Sequence, residues 1–300
     1  MSQNLKSNKL IQFILLSLLS ILNVQADYIF NLDKFIIVSN DKDSTIVKYL
    51  ASILSKENKN FEIFFKHKLL QNVNIILPDS PSRYREITQS YLPDWSGAVT
   101  FGNERKIILK PSDYFDYNES RETLLHELVH IYFADMQVDT ILPLWLNEGV
   151  AMYLSRKSIS WNESIILGNM IIGGNVIALD EIDSLLGFGY VKAHTAYLEA
   201  LLAVQYLVEK YGEGIIGYII NSVEEEHSFS DALKRNIGQD IFDFEVGWNI
   251  YLKHRYHWMF LLQFKNLMWI SLVILVIVGF FYIKIRNRRI IKTWEEEPNE

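Results

Sequence analysis

The residue types and spacing that could do chemistry lie near the middle of the chain. The string HELVH contains His126, Glu127 and His130, and Glu148 follows within the string LWLNEG. On a helix, positions four apart share a face, so the two histidines would present their rings to one metal ion. Glu127 would lie beside that ion, where its carboxylate can take a proton from water. Glu148 would complete a His₂Glu zinc site with its fourth tetrahedral position open. The alternative is a helix that carries two histidines by chance.

The beginning of the chain has the layout of a secretory signal peptide. Lys6 and Lys9 precede the uncharged run 10–24, and Val24-Gln25-Ala26 puts small residues at the −3 and −1 positions of a cut before Asp27. An uncleaved N-terminal anchor is the alternative. In both cases the pattern predicts export of the domain that follows.

A second apolar stretch, near the end of the chain, is long enough to cross a bilayer. Residues 267–283 are 17 consecutive uncharged and mostly apolar residues. A buried core helix could look similar, but a basic cluster follows at once, which is typical of the cytoplasmic side of a span. This cluster consists of Lys284, Arg286, Arg288, Arg289 and Lys292. We therefore expect a signal peptide at 1–26, an extracytoplasmic domain at 27–258, a single transmembrane helix at 264–284 and a cytoplasmic tail at 285–300. The domain would then face the cell envelope from the cell membrane.

Composition excludes several classes of protein and site. The chain contains no cysteine, which excludes disulfides, thiol nucleophiles and cysteine-liganded zinc. The formal net charge of −7 argues against nucleic acid as a partner. An exported protein without cysteine also fits a bacterial envelope better than a eukaryotic secretory route. Nothing in the sequence specifies an oligomeric state.

The hydrophobic pattern of the exported part predicts an α+β domain. Strands are predicted within 28–39 and at 73–77, 97–101 and 106–109, with a Gly102-Asn103 turn between the last two. Helices are predicted at 44–65, from the end of the polar cluster 116–120 to about 135, from 144 to about 156, and at 191–211, 214–223, 230–236 and 241–256. Asn118 or Ser120 is the expected N-cap of the helix that carries HELVH.

Around the histidines the chain resembles a known family. The string LPLWLNEGVA, coming after HELVH, is similar to the gluzincin metallopeptidases, and most of all to the bacterial peptidase MA-like domain. Weaker similarity covers residues 73–252. The resemblance implies an α+β, thermolysin-like zincin fold with a small mixed sheet and a mostly helical C-terminal half. It also implies Zn²⁺ as cofactor, with His126, His130 and Glu148 as ligands and Glu127 as the general base and acid.

The resemblance further implies a donor for the oxyanion of the transition state. The segment from Tyr197 to Tyr211 resembles the helix that carries the transition-state tyrosine of the family, so Tyr197 is the candidate. His194, about one helical turn away, and Tyr190 are alternatives in the same segment.

The chain departs from its relatives at two points. The gap between His130 and Glu148 is 17 residues, one shorter than in the aminopeptidase relatives, so exopeptidase machinery does not follow. Thermolysin-like enzymes place an aspartate four residues after the third ligand, as partner of a ligand histidine, and this chain has Met152 there. Asp135, Asp180 or a backbone carbonyl could substitute. The other histidines, His67 among them, are expected to be solvated surface residues.

Three functions are compatible with these features. The first is a membrane-anchored zinc metallopeptidase that acts on peptides or proteins. The second is an aminopeptidase or amidase that acts on another amide substrate, and the third is a non-catalytic envelope adaptor on a peptidase scaffold. A damaged HExxH is the usual mark of the third, and here the motif is intact. If residues 97–109 form an edge hairpin, an extended peptide could pair with it, which favours endopeptidase action.

Overall fold

The structure is a computed structural model that describes residues 28–39, 45–89, 97–111, 117–262 and 264–295. The predicted signal peptide at 1–26, with its cut before Asp27, lies outside the described residues. The chain divides into two compact units. The first unit extends to Ser158 and resumes over Ile177–Val246, and the second comprises Ile159–Val176 and the chain from Gly247 onward.

Among the described residues, five strands of the first unit form one mixed sheet. They are β1 (Tyr28–Leu32), β2 (Phe35–Ser39), β3 (Val73–Leu77), β4 (Ala98–Phe101) and β5 (Lys106–Leu109). Their order across the sheet is β1-β2-β3-β5-β4, with β2, β3 and β5 parallel and both outer pairs antiparallel. The central strands are rich in β-branched residues and bury Ile37, Ile75 and Ile107 completely. Within the described sheet, β4 is an edge strand.

The helices are numbered along the chain. They are α1 (Thr45–Phe65), α2 (Pro81–Ile87), α3 (Tyr117–Asp135), α4 (Leu144–Leu154), α5 (Trp161–Gly173), α6 (Tyr190–Tyr211), α7 (Ile215–Glu226), α8 (Phe229–Ile237), α9 (Ile241–Tyr256) and α10 (Phe264–Glu295). Short 3₁₀ segments lie at Gly102–Glu104, Glu181–Gly187 and His257–Leu262. Helices α5 and α10 belong to the second unit, and α9 passes from the first unit into the second.

The packing of α4 on α6 fixes the position of Glu148. A Cβ atom on Gly149 would lie 2.4 Å from the carbonyl oxygen of Ala200, so only glycine allows the two backbones to approach this closely. At the start of α4, the ring of Trp145 stacks on Phe244 of α9, with centroids 5.5 Å apart. Both contacts are buried and close-packed, so α4 has little freedom to move and the backbone of Glu148 is held in place.

The first described residue of α3 contacts α1. The rings of Tyr49 and Tyr117 meet edge to face at 4.8 Å, and the Tyr49 hydroxyl donates to the Tyr117 carbonyl at 2.9 Å. The described part of the helix begins at Tyr117. The prediction of Asn118 or Ser120 as N-cap is wrong, because both residues lie inside the first turn.

The second unit contains an apolar helix near the end of the described chain. Within α10, residues Leu267–Ile291 are long and apolar enough to cross a membrane, with a mean hydropathy of 2.4 over the most apolar window. The described side chains of this stretch are mostly exposed. The predicted α+β class, with its small mixed sheet and mostly helical C-terminal half, is confirmed.

Candidate metal centre

The structure brings together three side chains that could hold a metal ion. His126 and His130 project from one face of α3, and Glu148 reaches them from α4. The Glu148 Oε2 atom lies 3.2 Å from Nε2 of His126 and 3.7 Å from Nε2 of His130. One atom from each residue falls within a group no wider than 4.8 Å, and all three residues remain partly exposed. Across the described part of the chain, this is the one histidine and carboxylate cluster of that kind.

The distances and atom types suit zinc. Nitrogen and carboxylate ligands lie about 2.0–2.1 Å from zinc, so two corners of its tetrahedron are roughly 3.3–3.4 Å apart. The two distances from Glu148 to the imidazole nitrogens, 3.2 and 3.7 Å, bracket that value. Three protein donors with partial exposure also leave a corner for water or substrate. The residues therefore fit a catalytic metal better than a closed structural one.

His126 and Glu148 shift each other's pKa so that the charged forms are favoured. Burial raises the pKa of Glu148, but the charge of His130 and the hydrogen bond with His126 outweigh it, so the pKa is lowered. Burial lowers the pKa of His126, but the hydrogen bond and charge of Glu148, with the charge of Glu127, raise it overall. A metal ion must displace protons from such a site, so acid will compete with metal binding.

Asn147 orients the ring of His130. Nδ1 of His130 lies 2.8 Å from Oδ1 of Asn147, an acceptor, so Nδ1 carries the proton and Nε2 keeps its lone pair for a metal. Neither Asp135 nor Asp180 fills this role. Asp180 is exposed, and Asp135 is engaged elsewhere. In the sequence, only the position of Asn147 directly before Glu148 could have indicated that it orients His130.

Asp135 instead ties the end of α3 to two loops. Its buried carboxylate accepts hydrogen bonds from His67 Nε2 at 2.8 Å and from the Leu70 N–H at 3.0 Å, and it pairs with Arg105 of the β4–β5 turn. Burial raises the pKa of Asp135, but these three donors outweigh burial and lower it. The expectation that His67 is a solvated surface residue is wrong, because its side chain is only 16% exposed and its Nε2 atom is hydrogen-bonded to Asp135.

Glu127 has a partner that the sequence did not reveal. The hydroxyl of Thr100 lies 2.6 Å from Oε2 of Glu127 and 3.2 Å from its backbone carbonyl oxygen. Thr100 belongs to β4, so the edge strand lies against α3 at the point where the glutamate projects. A hydroxyl that donates to the carboxylate limits its rotation, and the edge of β4 runs past the same group.

The three oxyanion candidates occupy different surroundings on α6. Burial, together with the charges of Glu148 and Glu127, raises the pKa of Tyr197, so its hydroxyl stays protonated and able to donate. The ring of His194 stacks on Tyr190, with centroids 6.2 Å apart, and Tyr190 is 62% exposed. The structure thus brings Tyr197 within electrostatic reach of the metal-centre carboxylates and groups His194 with Tyr190.

Comparison with known proteins adds one finding. Residues 66–254 match the family model of the peptidase MA superfamily. The matched range contains every candidate ligand and catalytic residue described above. A search of curated proteins gives no match.

Proposed function

Because the chain belongs to the peptidase MA superfamily, we propose that this peptidase is a zinc-dependent endopeptidase held at a membrane by α10. The observation that carries the proposal is the convergence of His126, His130 and Glu148, with Glu127 directly beside them. An intact HExxH with a third ligand at this spacing is typical of catalysis rather than of an adaptor that has lost it.

The zinc would be held by the Nε2 atoms of the two histidines and the Glu148 carboxylate. When bound there, zinc supplies Lewis acidity, which polarises a peptide carbonyl and lowers the pKa of water toward neutrality. Asn147 keeps His130 in the tautomer that ligation requires. These roles need no residue outside the matched domain.

The remaining steps fall to side chains of the chain itself. Glu127 takes one proton from the attacking water and later delivers it to the nitrogen of the departing amine. The same carboxylate therefore acts first as the base and then as the acid. Thr100 holds that carboxylate in place through its hydroxyl. Tyr197 donates a hydrogen bond to the carbonyl oxygen as it gains negative charge.

Edge strand β4 supports an extended peptide as the substrate. An edge strand offers backbone N–H and C=O groups to a chain laid alongside it, and β4 runs past Glu127. Pairing of this kind needs no free terminus, which favours cleavage within unfolded or flexible segments.

The proposal includes an orientation of the chain across the membrane. A cleaved or retained leader at 1–26, the apolar part of α10 and the basic residues 284–292 together favour an extracytoplasmic peptidase with a short cytoplasmic tail. Protease added to spheroplasts should digest the peptidase domain and spare a tag placed after Glu300. A tag that external protease removes would overturn this orientation.

Metal analysis and peptide cleavage together test the enzymatic proposal. Purified protein should carry about one zinc per chain, because the described residues contain one such ligand cluster. His130→Ala and Glu148→Ala should lose most of the metal, and cleavage of a mixed peptide library should fall with it. Release of single N-terminal residues would instead favour an aminopeptidase, and full metal with no cleavage of any peptide would favour the adaptor.

A further inference from the structure

Helix α5 of the second unit exposes large apolar side chains to solvent. Its sequence, WNESIILGNMIIG, contains one charged residue, Glu163, which closes a capping box with Ser160 at the start of the helix. The helix buries Leu167 and Ile171, yet Trp161 is 59% exposed and Ile166 is 44% exposed. The other polar residues of the helix are Asn162, Ser164 and Asn169. Large apolar side chains exposed beside them mark a surface that protein or lipid can cover.

The contacts of α5 connect it to the segment that leads into α10. A Cβ atom on Gly168 would lie 2.2 Å from Sδ of Met259, so α5 packs tightly on the 3₁₀ segment His257–Leu262. The rings of Trp161 and Trp258 lie 6.0 Å apart, and Trp258 is itself 40% exposed. Only five residues separate Trp258 from the first residue of α10, Phe264.

Polar groups with suitable chemistry directly precede Trp258 in the chain. Lys253, His254, Arg255 and His257 are exposed at the end of α9 and directly after it. Cationic side chains attract anionic lipid headgroups, and tryptophan rings favour the boundary between headgroups and acyl chains. Apolar, aromatic and cationic groups therefore meet in one compact unit, directly before the apolar stretch of α10.

We propose that α5 and the Trp161–Trp258 pair form a membrane foot, a surface that rests in the headgroup region of a phospholipid bilayer beside the start of α10. This inference rests on the proposed anchoring of the chain by α10, because the foot reaches the bilayer only if that helix spans it. The foot gives the second unit a second contact with the membrane, so that this unit is held against the bilayer rather than tethered by one helix alone.

Collisional quenching at single cysteines tests the foot in the full chain. The chain has no cysteine, so each introduced thiol is unique. Ile166→Cys reports on the foot, Val276→Cys on α10, and Ile63→Cys on an isoleucine of α1 that is 78% exposed. Each variant is labelled with a small fluorophore and reconstituted into vesicles of phosphatidylcholine and phosphatidylglycerol. Unchanged circular dichroism and zinc content show that each variant is folded.

The expected result is quenching by lipid-borne nitroxides at Ile166→Cys and Val276→Cys, and by a water-soluble quencher at Ile63→Cys. If Ile166→Cys behaves like Ile63→Cys while Val276→Cys is reached from lipid, the foot is refuted and the anchor stands. Shielding of Ile166→Cys from both quenchers would mean that a protein covers this face, which also refutes the foot. Water access at Val276→Cys would overturn the anchor and the foot together.

Discussion

Replacing Glu199 by glutamine should stabilise the protein at alkaline pH and change it little near pH 5. Glu199 lies on α6 and is completely buried. One carboxyl oxygen accepts the Ile177 N–H at 3.0 Å, and among the described residues the other has no hydrogen-bond partner. Burial raises the pKa of Glu199 from 4.5 to about 8, against the lowering effect of the Ile177 hydrogen bond. The folded protein therefore carries this group as the neutral acid at pH 7.

The size of the effect follows from proton linkage. Between pH 4.5 and about 8 the unfolded chain has lost this proton and the folded chain has kept it, so stability falls as pH rises through that window. At about 1.4 kcal/mol per pH unit, the full loss is at most about 5 kcal/mol. Glutamine keeps the shape and the acceptor oxygen but never ionises, so Glu199→Gln avoids this loss. A gain of a few kcal/mol would raise Tm by roughly 5–15 °C at pH 8.5.

Thermal unfolding of the full chain in detergent, followed by tryptophan fluorescence at pH 5 and 8.5, measures this difference. Glu245→Gln is the matched control, because its partly exposed carboxylate accepts the Leu179 N–H in the same segment. Subtracting the wild-type curve at each pH removes contributions from other titrating groups. Equal Tm shifts for Glu199→Gln at both pH values would refute the buried neutral acid.

Three further predictions concern the candidate site. Thr100→Val should keep zinc and lower kcat by roughly 10-fold to 100-fold, as expected for a hydrogen bond to a charged group, with KM little changed. Thr100→Ser should restore most of that rate, and equal losses in both variants would assign the residue a packing role. Asn147→Leu should weaken zinc binding by roughly 10-fold to 100-fold in a chelator competition, and unchanged affinity would remove it as the orienting partner of His130. Tyr197→Phe should lower kcat and kcat/KM together by roughly 10²–10³-fold with zinc retained. A large loss of kcat in His194→Gln, with kcat of Tyr197→Phe near the wild-type value, would instead assign the oxyanion donor to His194.

The convergence of the three metal-binding candidates could be expected from the sequence. The histidines are four residues apart on a helix, so local geometry alone puts them on one face. Glu148 was proposed because a carboxylate after HELVH would complete a His₂Glu set, and the family resemblance supported it, although its spacing does not specify how α4 crosses α3. The hairpin was also visible from alternation and from the turn residues Gly102 and Asn103, which are local signals. The connection itself is longer than predicted, because it comprises the 3₁₀ segment Gly102–Glu104 and Arg105 at a φ of 50°.

The partners of these residues could not be predicted, because they come from separate elements. Thr100 reaches Glu127 across 27 positions, and His67 reaches Asp135 across 68. Contacts between residues so far apart depend on sheet order and helix packing, and the periodicity of apolar residues in the sequence does not indicate either. Helix α5 was missed for another reason. Its apolar residues fall in consecutive runs, Ile165 to Leu167 and Met170 to Ile172, so they show only a weak 3.6-residue pattern.

The most direct test of the central claim is the rate of peptide hydrolysis by Glu127→Gln, measured with the zinc content of the same sample. Glutamine keeps the shape of the side chain and its place beside Thr100, and it cannot take a proton from water. We expect zinc near the wild-type level and a loss of turnover of roughly two or more orders of magnitude. Turnover near the wild-type rate, with zinc present, would contradict the assignment of Glu127 as the base and with it the proposed mechanism.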